Sequence, residues 1–150
     1  MLKVGDKAPA FQGIDQNGNT VSLDKFKGQK LILYFYPKDN TPGCTAEACD
    51  FRDQYQSLLA KGFAVVGVSA DSEKSHAKFS NKFNLPFPLI ADTEHQVLNA
   101  YEAYGEKKLY GKTYMGVIRK TFVINSEGVI EQIIEKVDTK APSAQILALS

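Results

Sequence analysis

Cys44 and Cys49 are the only cysteines of this chain, and what a pair of thiols can do depends on their surroundings. They lie in the run Tyr36-Pro37-Lys38-Asp39-Asn40-Thr41-Pro42-Gly43-Cys44-Thr45-Ala46-Glu47-Ala48-Cys49, which reads as a strand end, a tight loop and a helix start. Thr41 reads as an N-cap and Pro42 as the first helical residue, where a missing N–H costs nothing and the fixed φ suits a helix. Cys44 then falls in the first turn. Unpaired amides and the positive end of the helix dipole there favour an anionic sulfur over a thiol. Gly43 allows the backbone close approach to a small ligand. The chemistry indicated is nucleophilic attack by a thiolate.

The spacing of the pair adds a constraint. Residues five apart on a helix are separated by about 140° and lie roughly 8.6 Å apart at Cα, whereas disulfide reach ends near ~7 Å. A bond between the two would require the first turns of the helix to unwind, coupling redox chemistry to local unfolding. The spacing therefore argues against a permanent structural bridge. Zinc is a poor alternative, because His76 and His95 complete no ligand pattern with Cys44-x4-Cys49. Cys49 alone could also be a packing residue on the helix face shared with Leu58 and Leu59.

The elements that must position this loop follow from hydrophobic patterning. Residues 31–36 are a β-rich apolar run closed by Pro37, a buried strand. Ahead of it, residues 11–14 and 21–23 flank Asn17-Gly18 as a small β-hairpin. A helix is predicted over 41–61 with Gly62 as its C-cap. A buried strand follows over 63–69, a helix over 72–83 carrying His76 and Phe79, a short edge strand at 89–91 and a short helix over 94–101. Residues 107–115 read as a glycine-punctuated loop. Strands at 117–124 and 129–136 and a helix at 144–149 complete the chain. The pattern predicts one α/β domain with a mixed central sheet flanked by helices.

Charge excludes some functions. The 18 basic and 17 acidic residues leave a net charge of +1, so no field favours nucleic acid or an anionic membrane, and Lys107 and Lys108 read as a solvated face. No stretch approaches the ~20 apolar residues of a membrane helix, and the first residues carry no apolar signal region. A cytoplasmic location is expected, where two cysteines mean chemistry more often than architecture.

Pro37, Thr41 and Cys44 match the Pro-x-x-x-Thr-x-x-Cys signature, and in this the chain resembles the peroxiredoxins. Cys49 is similar to the second cysteine of their bacterioferritin-comigratory, or Q, class. The likeness continues through Val4-Gly5-Asp6-Lys7-Ala8-Pro9-Ala10-Phe11, Gly67-Val68-Ser69-Ala70-Asp71 and Lys112-Thr113-Tyr114-Met115-Gly116-Val117-Ile118-Arg119-Lys120-Thr121-Phe122. Tyr104, where relatives often carry Trp, and Lys120, where Ser is common, depart from it. The resemblance implies a thioredoxin-like fold with the reactive turn at the carboxyl end of a central strand. It implies a hydroperoxide substrate, a sulfenic acid at Cys44, and an intramolecular disulfide with Cys49 that thioredoxin or a similar dithiol reduces. It also implies a monomer, with no metal or other cofactor.

Arg119 matches the family's catalytic arginine, and the strand carrying it is expected to run beside Cys44. Arg52 is the competitor, better suited to surface carboxylates. Complete ionisation of an ordinary thiol, about 3% ionised at neutral pH, raises a rate only about 30-fold. The remaining acceleration must come from groups that orient the peroxide and stabilise the departing oxygen. Candidates are the Thr41 hydroxyl, the amides of Gly43 and Cys44, and Arg119, with Pro37 shielding the sulfur. Glu47 reads equally as a hydrogen-bond acceptor ordering the pocket and as a helix-dipole residue. His76 and His95 read as polar surface or capping residues. Tyr34, Phe35 and Tyr36 read as core, with Tyr36 as a candidate pocket wall.

Two other readings stay open on the residues alone. A thiol–disulfide oxidoreductase would use Cys-x-x-Cys and a proline before a later strand, whereas this chain has no proline between Pro88 and Pro142. A redox-silent domain would simply pack its thiols.

Overall fold

The structure, a computed structural model, describes residues 1–150. An N-terminal hairpin of β1 (Gln12–Ile14) and β2 (Thr20–Ser22) precedes the main sheet. The apolar run ahead of Pro37 becomes β3 (Lys30–Phe35), which pairs in parallel with β4 (Phe63–Ser69). The short edge strand β5 (Leu89–Ala91) adds in parallel to β4. On its other side β3 pairs antiparallel with β8 (Lys120–Ile124), and β8 with β9 (Ile130–Ile134). The result is a five-stranded mixed sheet in the order β5-β4-β3-β8-β9 with β3 at its centre.

Both faces of β3 are covered, which is why its sequence is continuously apolar rather than alternating. Leu31, Leu33 and Phe35 pack with the N-terminal segment and with Val97, Leu98 and Tyr101. Ile32, Tyr34 and Tyr36 pack on the opposite face with Cys44, Ala48 and Phe51. Gly67 of β4 sits opposite Tyr34. A Cβ there would lie 2.9 Å from both the Tyr34 ring and Leu89, so the glycine makes room for the aromatic side chain.

Helix α1 (Pro42–Asp53) starts where Pro42 predicts and buries Cys44, Ala48 and Phe51, a stripe at helical spacing. The single helix expected over 41–61 is instead two. The backbone leaves helical geometry at Gln54, with ψ of 3°, before α2 (Tyr55–Ala60). This break brings Leu58 into the cluster that also holds Phe63 at the start of β4. No glycine or proline marks it in the sequence. Gly62, at φ of 85°, takes the left-handed conformation expected after a helix end.

Helix α3 (Glu73–Phe83) is capped by Ser72, whose Oγ accepts from the Ser75 amide at 3.1 Å. Before α4 (Gln96–Ala100), His95 occupies the N-cap position but caps nothing. The buried Asp92 carboxylate accepts from the amides of Val97 and Leu98 at 3.2 and 2.7 Å, while the His95 ring stacks on Tyr104 with centroids 4.2 Å apart. Helix α5 (Pro142–Ala148) closes the fold.

The loop expected over 107–115 is a β-hairpin of β6 (Tyr104–Leu109) and β7 (Lys112–Val117). Tyr110 and Gly111, at φ of 52° and 77°, form its two-residue turn, whose positive dihedrals match the twist of the flanking strands. Lys107, expected in solvent, turns back and donates to the Val117 carbonyl at 2.8 Å. No helix of the protein is long and apolar enough to cross a membrane.

Phe51 is the residue through which α1 grips the sheet: it is fully buried, with its ring 4.8 Å from Tyr34 and edge-on to Phe87 at 6.4 Å. Phe51→Ala is expected to cost about 3–5 kcal/mol of stability. Urea unfolding should show the loss as a lower midpoint at unchanged slope; a loss under ~1 kcal/mol would mean that this contact does not hold α1 in place.

Candidate active site

The site forms where β3 ends and α1 begins, at the carboxyl end of the central strand, where open α/β sheets bind ligands. Thr41 has the extended backbone of an N-cap residue, φ of -101° and ψ of 156°. Its side chain does not cap the helix as expected. Thr41 Oγ1 donates instead to the Lys38 carbonyl at 2.8 Å. The hydroxyl proton is thereby committed, and the oxygen lone pairs remain to accept from a ligand. The amides of Gly43 and Cys44 donate to no protein acceptor, so two N–H groups stay free in the first turn.

Cys44 is 1% exposed, and its sulfur accepts from Arg119 Nη2 at 3.2 Å. Arg119 lies in the short link between β7 and β8, immediately before β8 rather than within a strand as expected. Its Nη1 donates to Glu47 Oε1 at 2.7 Å. One guanidinium therefore spans the sulfur and a fully buried carboxylate one helical turn further on, a geometry that suits its fixed fork of donors. Burial works against the guanidinium charge, but the charges of Cys44 and Glu47 outweigh it and hold Arg119 above its ordinary pKa.

Glu47 is no surface helix-dipole residue. Burial pushes its carboxyl from 4.5 up to about 7, against the pull of Arg119. Its second oxygen has no hydrogen-bond partner. The structure thus favours the acceptor reading of Glu47 that the sequence left undecided.

The missing side chain of Gly43 has a steric consequence. A Cβ there would lie 3.3 Å from Arg119 Nη2, so the missing side chain leaves room for the guanidinium to reach the sulfur. Pro37 is half-buried at the start of the turn. Arg52 is committed elsewhere, donating to Asp53 at 3.0 Å and to the Phe83 carbonyl at the end of α3 at 2.8 Å.

Cys49 is half-buried, and both thiols are free. Both residues lie within the continuous helix α1. The separation of roughly 8.6 Å expected from helical geometry therefore applies, beyond the ~7 Å limit of a disulfide.

His76 corrects the sequence reading. It is fully buried rather than a surface residue, with Nδ1 2.7 Å from Asp39 Oδ2 and Nε2 2.9 Å from the Ile90 carbonyl. Tyr36 Oη, the candidate pocket wall, donates to Asp39 Oδ1 at 2.7 Å. Neither Asp39 nor His76 was marked by any motif used above. Both stand in polar segments of the sequence, so no local signal marked them as interior.

Residues 4–133 match the AhpC/TSA family. The chain is 45% identical over 146 residues to Peroxiredoxin Bcp of Bacillus subtilis, covering 97% of this chain and 93% of that protein. Among solved structures, the PrxQ of Xylella fastidiosa superposes with a TM-score of 0.92 at 30% identity, covering 99% of this chain and 94% of the other. The bacterioferritin comigratory protein of Xanthomonas campestris, solved in trapped intermediate/ligand complexes that bear on its alkyl peroxide reduction activity, superposes at 0.86 with 36% identity, covering 93% and 89%.

The buried Glu47 carboxyl makes stability depend on pH. Because its folded pKa of about 7 lies above the ordinary 4.5, the native state holds a proton the unfolded chain releases, and stability falls as pH rises from 4.5 through 7. Glu47→Gln retains an acceptor for Arg119 but does not titrate. Urea midpoints at about pH 5 and about pH 8 should differ for the parent and converge for the variant; equal differences in both would show that Glu47 is not the titrating group.

Proposed function

The chain belongs to the AhpC/TSA family as a peroxiredoxin of the bacterioferritin-comigratory, or Q, class, a thiol-dependent peroxidase; on that premise we propose that Cys44 is its peroxide-reducing sulfur. The observation that carries this reading is the 3.2 Å contact from Arg119 to the Cys44 sulfur, at a helix start whose amides are free.

The Cys44 thiolate attacks the terminal oxygen of R–O–OH. An S–O bond forms as the O–O bond breaks, and the electron pair leaves on RO⁻, which takes up a proton to become ROH. Arg119 and the Gly43 and Cys44 amides surround the region where negative charge moves from sulfur to oxygen. Thr41 Oγ1, its own proton given to Lys38, accepts the hydroperoxide O–H and so orients the bond to be broken. Pro37 limits solvent access to the sulfur.

The sulfenic acid then condenses with Cys49, the only other thiol of the chain, expelling water and forming a disulfide. Helix α1 must open for this step, since its geometry keeps the two sulfurs apart. A dithiol such as thioredoxin reduces the bond by exchange, and the helix re-forms.

Cys44→Ser is expected to abolish peroxide consumption, whereas Cys49→Ser should consume about one equivalent and stop at the sulfenic acid. Mass spectrometry after one equivalent of hydrogen peroxide should locate an internal bridge in the parent and an oxidised Cys44 in Cys49→Ser. Unchanged single-turnover consumption by Cys44→Ser would reject the assignment.

A further inference from the structure

A second polar cluster lies immediately beside the turn, and the mechanism above does not use it. The Asp39 carboxylate is 4% exposed and gathers three side chains: Tyr36 Oη on Oδ1 at 2.7 Å, and Ser75 Oγ and His76 Nδ1 on Oδ2, each at 2.7 Å. Both nitrogens of the His76 ring face oxygen acceptors, Asp39 on one side and the Ile90 carbonyl on the other. The ring is thus held from both sides beside a buried carboxyl group, so several polar groups are taken out of water together. So costly an arrangement in a dry interior calls for a reason beyond packing.

The backbone around Asp39 supplies that reason. The peptide joining Lys38 to Asp39 is gripped at both ends. Its N–H donates to Asp71 Oδ2 at 2.9 Å, and its carbonyl accepts from Thr41 Oγ1 at 2.8 Å. Asp71 is in turn held by Ser69 Oγ at 2.7 Å, at the end of β4. A peptide group is planar, so fixing its N–H direction and the attached Asp39 side chain fixes where its oxygen points. That oxygen decides where the Thr41 proton goes and hence where the Thr41 lone pairs face.

We propose that Asp39, His76 and Asp71 form a positioning device for the peroxide-binding turn, anchoring the Lys38 to Asp39 peptide to β4, β5 and α3 and thereby holding the Thr41 hydroxyl as an acceptor. The inference rests on the reading of Thr41 given above. None of the three residues touches the substrate; they act through one peptide plane.

The test compares two reactions of Cys44, oxidation by hydrogen peroxide and alkylation by iodoacetamide, of which only the first needs an oriented peroxide. His76→Gln keeps a donor near the Ile90 carbonyl but withdraws the one facing Asp39. His76→Asn does the reverse. Asp71→Ala removes the acceptor of the peptide N–H at a half-exposed position and carries the test should His76→Gln not fold. His76→Gln and Asp71→Ala are expected to slow peroxide oxidation roughly tenfold or more while alkylation stays within about twofold, with His76→Asn restoring most of the rate. In a Thr41→Val background His76→Gln and Asp71→Ala should each add little further, because the route through Thr41 is already gone. Equal slowing of both reactions, or a full additional factor on top of Thr41→Val, overturns the positioning role and leaves the Thr41 reading standing. A Thr41→Val protein that reacts with peroxide at the parent rate overturns both.

Discussion

The site depends on one guanidinium placed between a sulfur and a buried carboxylate. Arg119 reaches Cys44 with one terminal nitrogen and Glu47 with the other. Both partners lie on the first turns of α1, so the arginine acts across the boundary between the sheet and the helix. An isolated carboxylate inside the protein is costly, and an arginine near a buried thiolate without a second anchor would be free to rotate away. Each of the three groups makes the burial of the others tolerable. Gly43 is the steric condition for the arrangement, since a side chain at that position would press on the guanidinium.

Much of the fold was legible because its signals are local and strong. The uninterrupted apolar run of β3, the Pro37 stop and the Thr41-Pro42 start located the reactive turn, and the N-terminal hairpin and the mixed sheet followed from pattern alone. What escaped were features with no strong local signal. The break at Gln54 has no breaker residue. The β6 and β7 hairpin carries lysines where alternation would show apolar residues, and its Tyr110-Gly111 turn is not among the usual hairpin dipeptides. Arg119 was identified, but its place just outside β8 was not, since strand ends are set by pairing partners far away in the chain.

The side chains followed the same rule. Cys44, Cys49, Thr41 and Pro42 stand in one short segment, and their spacing alone suggests chemistry. Which oxygen receives the Thr41 proton is invisible in sequence, because it depends on the orientation of a peptide fixed by Asp71 and His76, more than thirty residues away. Glu47 could be read two ways until the fold supplied Arg119 as its partner. His76 misled for a plain reason: histidine in a polar helix usually faces water, and only its placement over Asp39 and Ile90 makes it interior.

Housing both thiols in a single helix has a consequence for partner recognition. On the pairing proposed here, the dithiol that regenerates the enzyme meets a chain whose α1 is open, whereas the hydroperoxide meets one whose α1 is wound. Oxidant and reductant then address two different surfaces of the same segment. Affinity for the reductant would fall of its own accord once exchange is complete, because rewinding erases the shape it had bound. Product dissociation is in this way built into refolding and needs no separate release step.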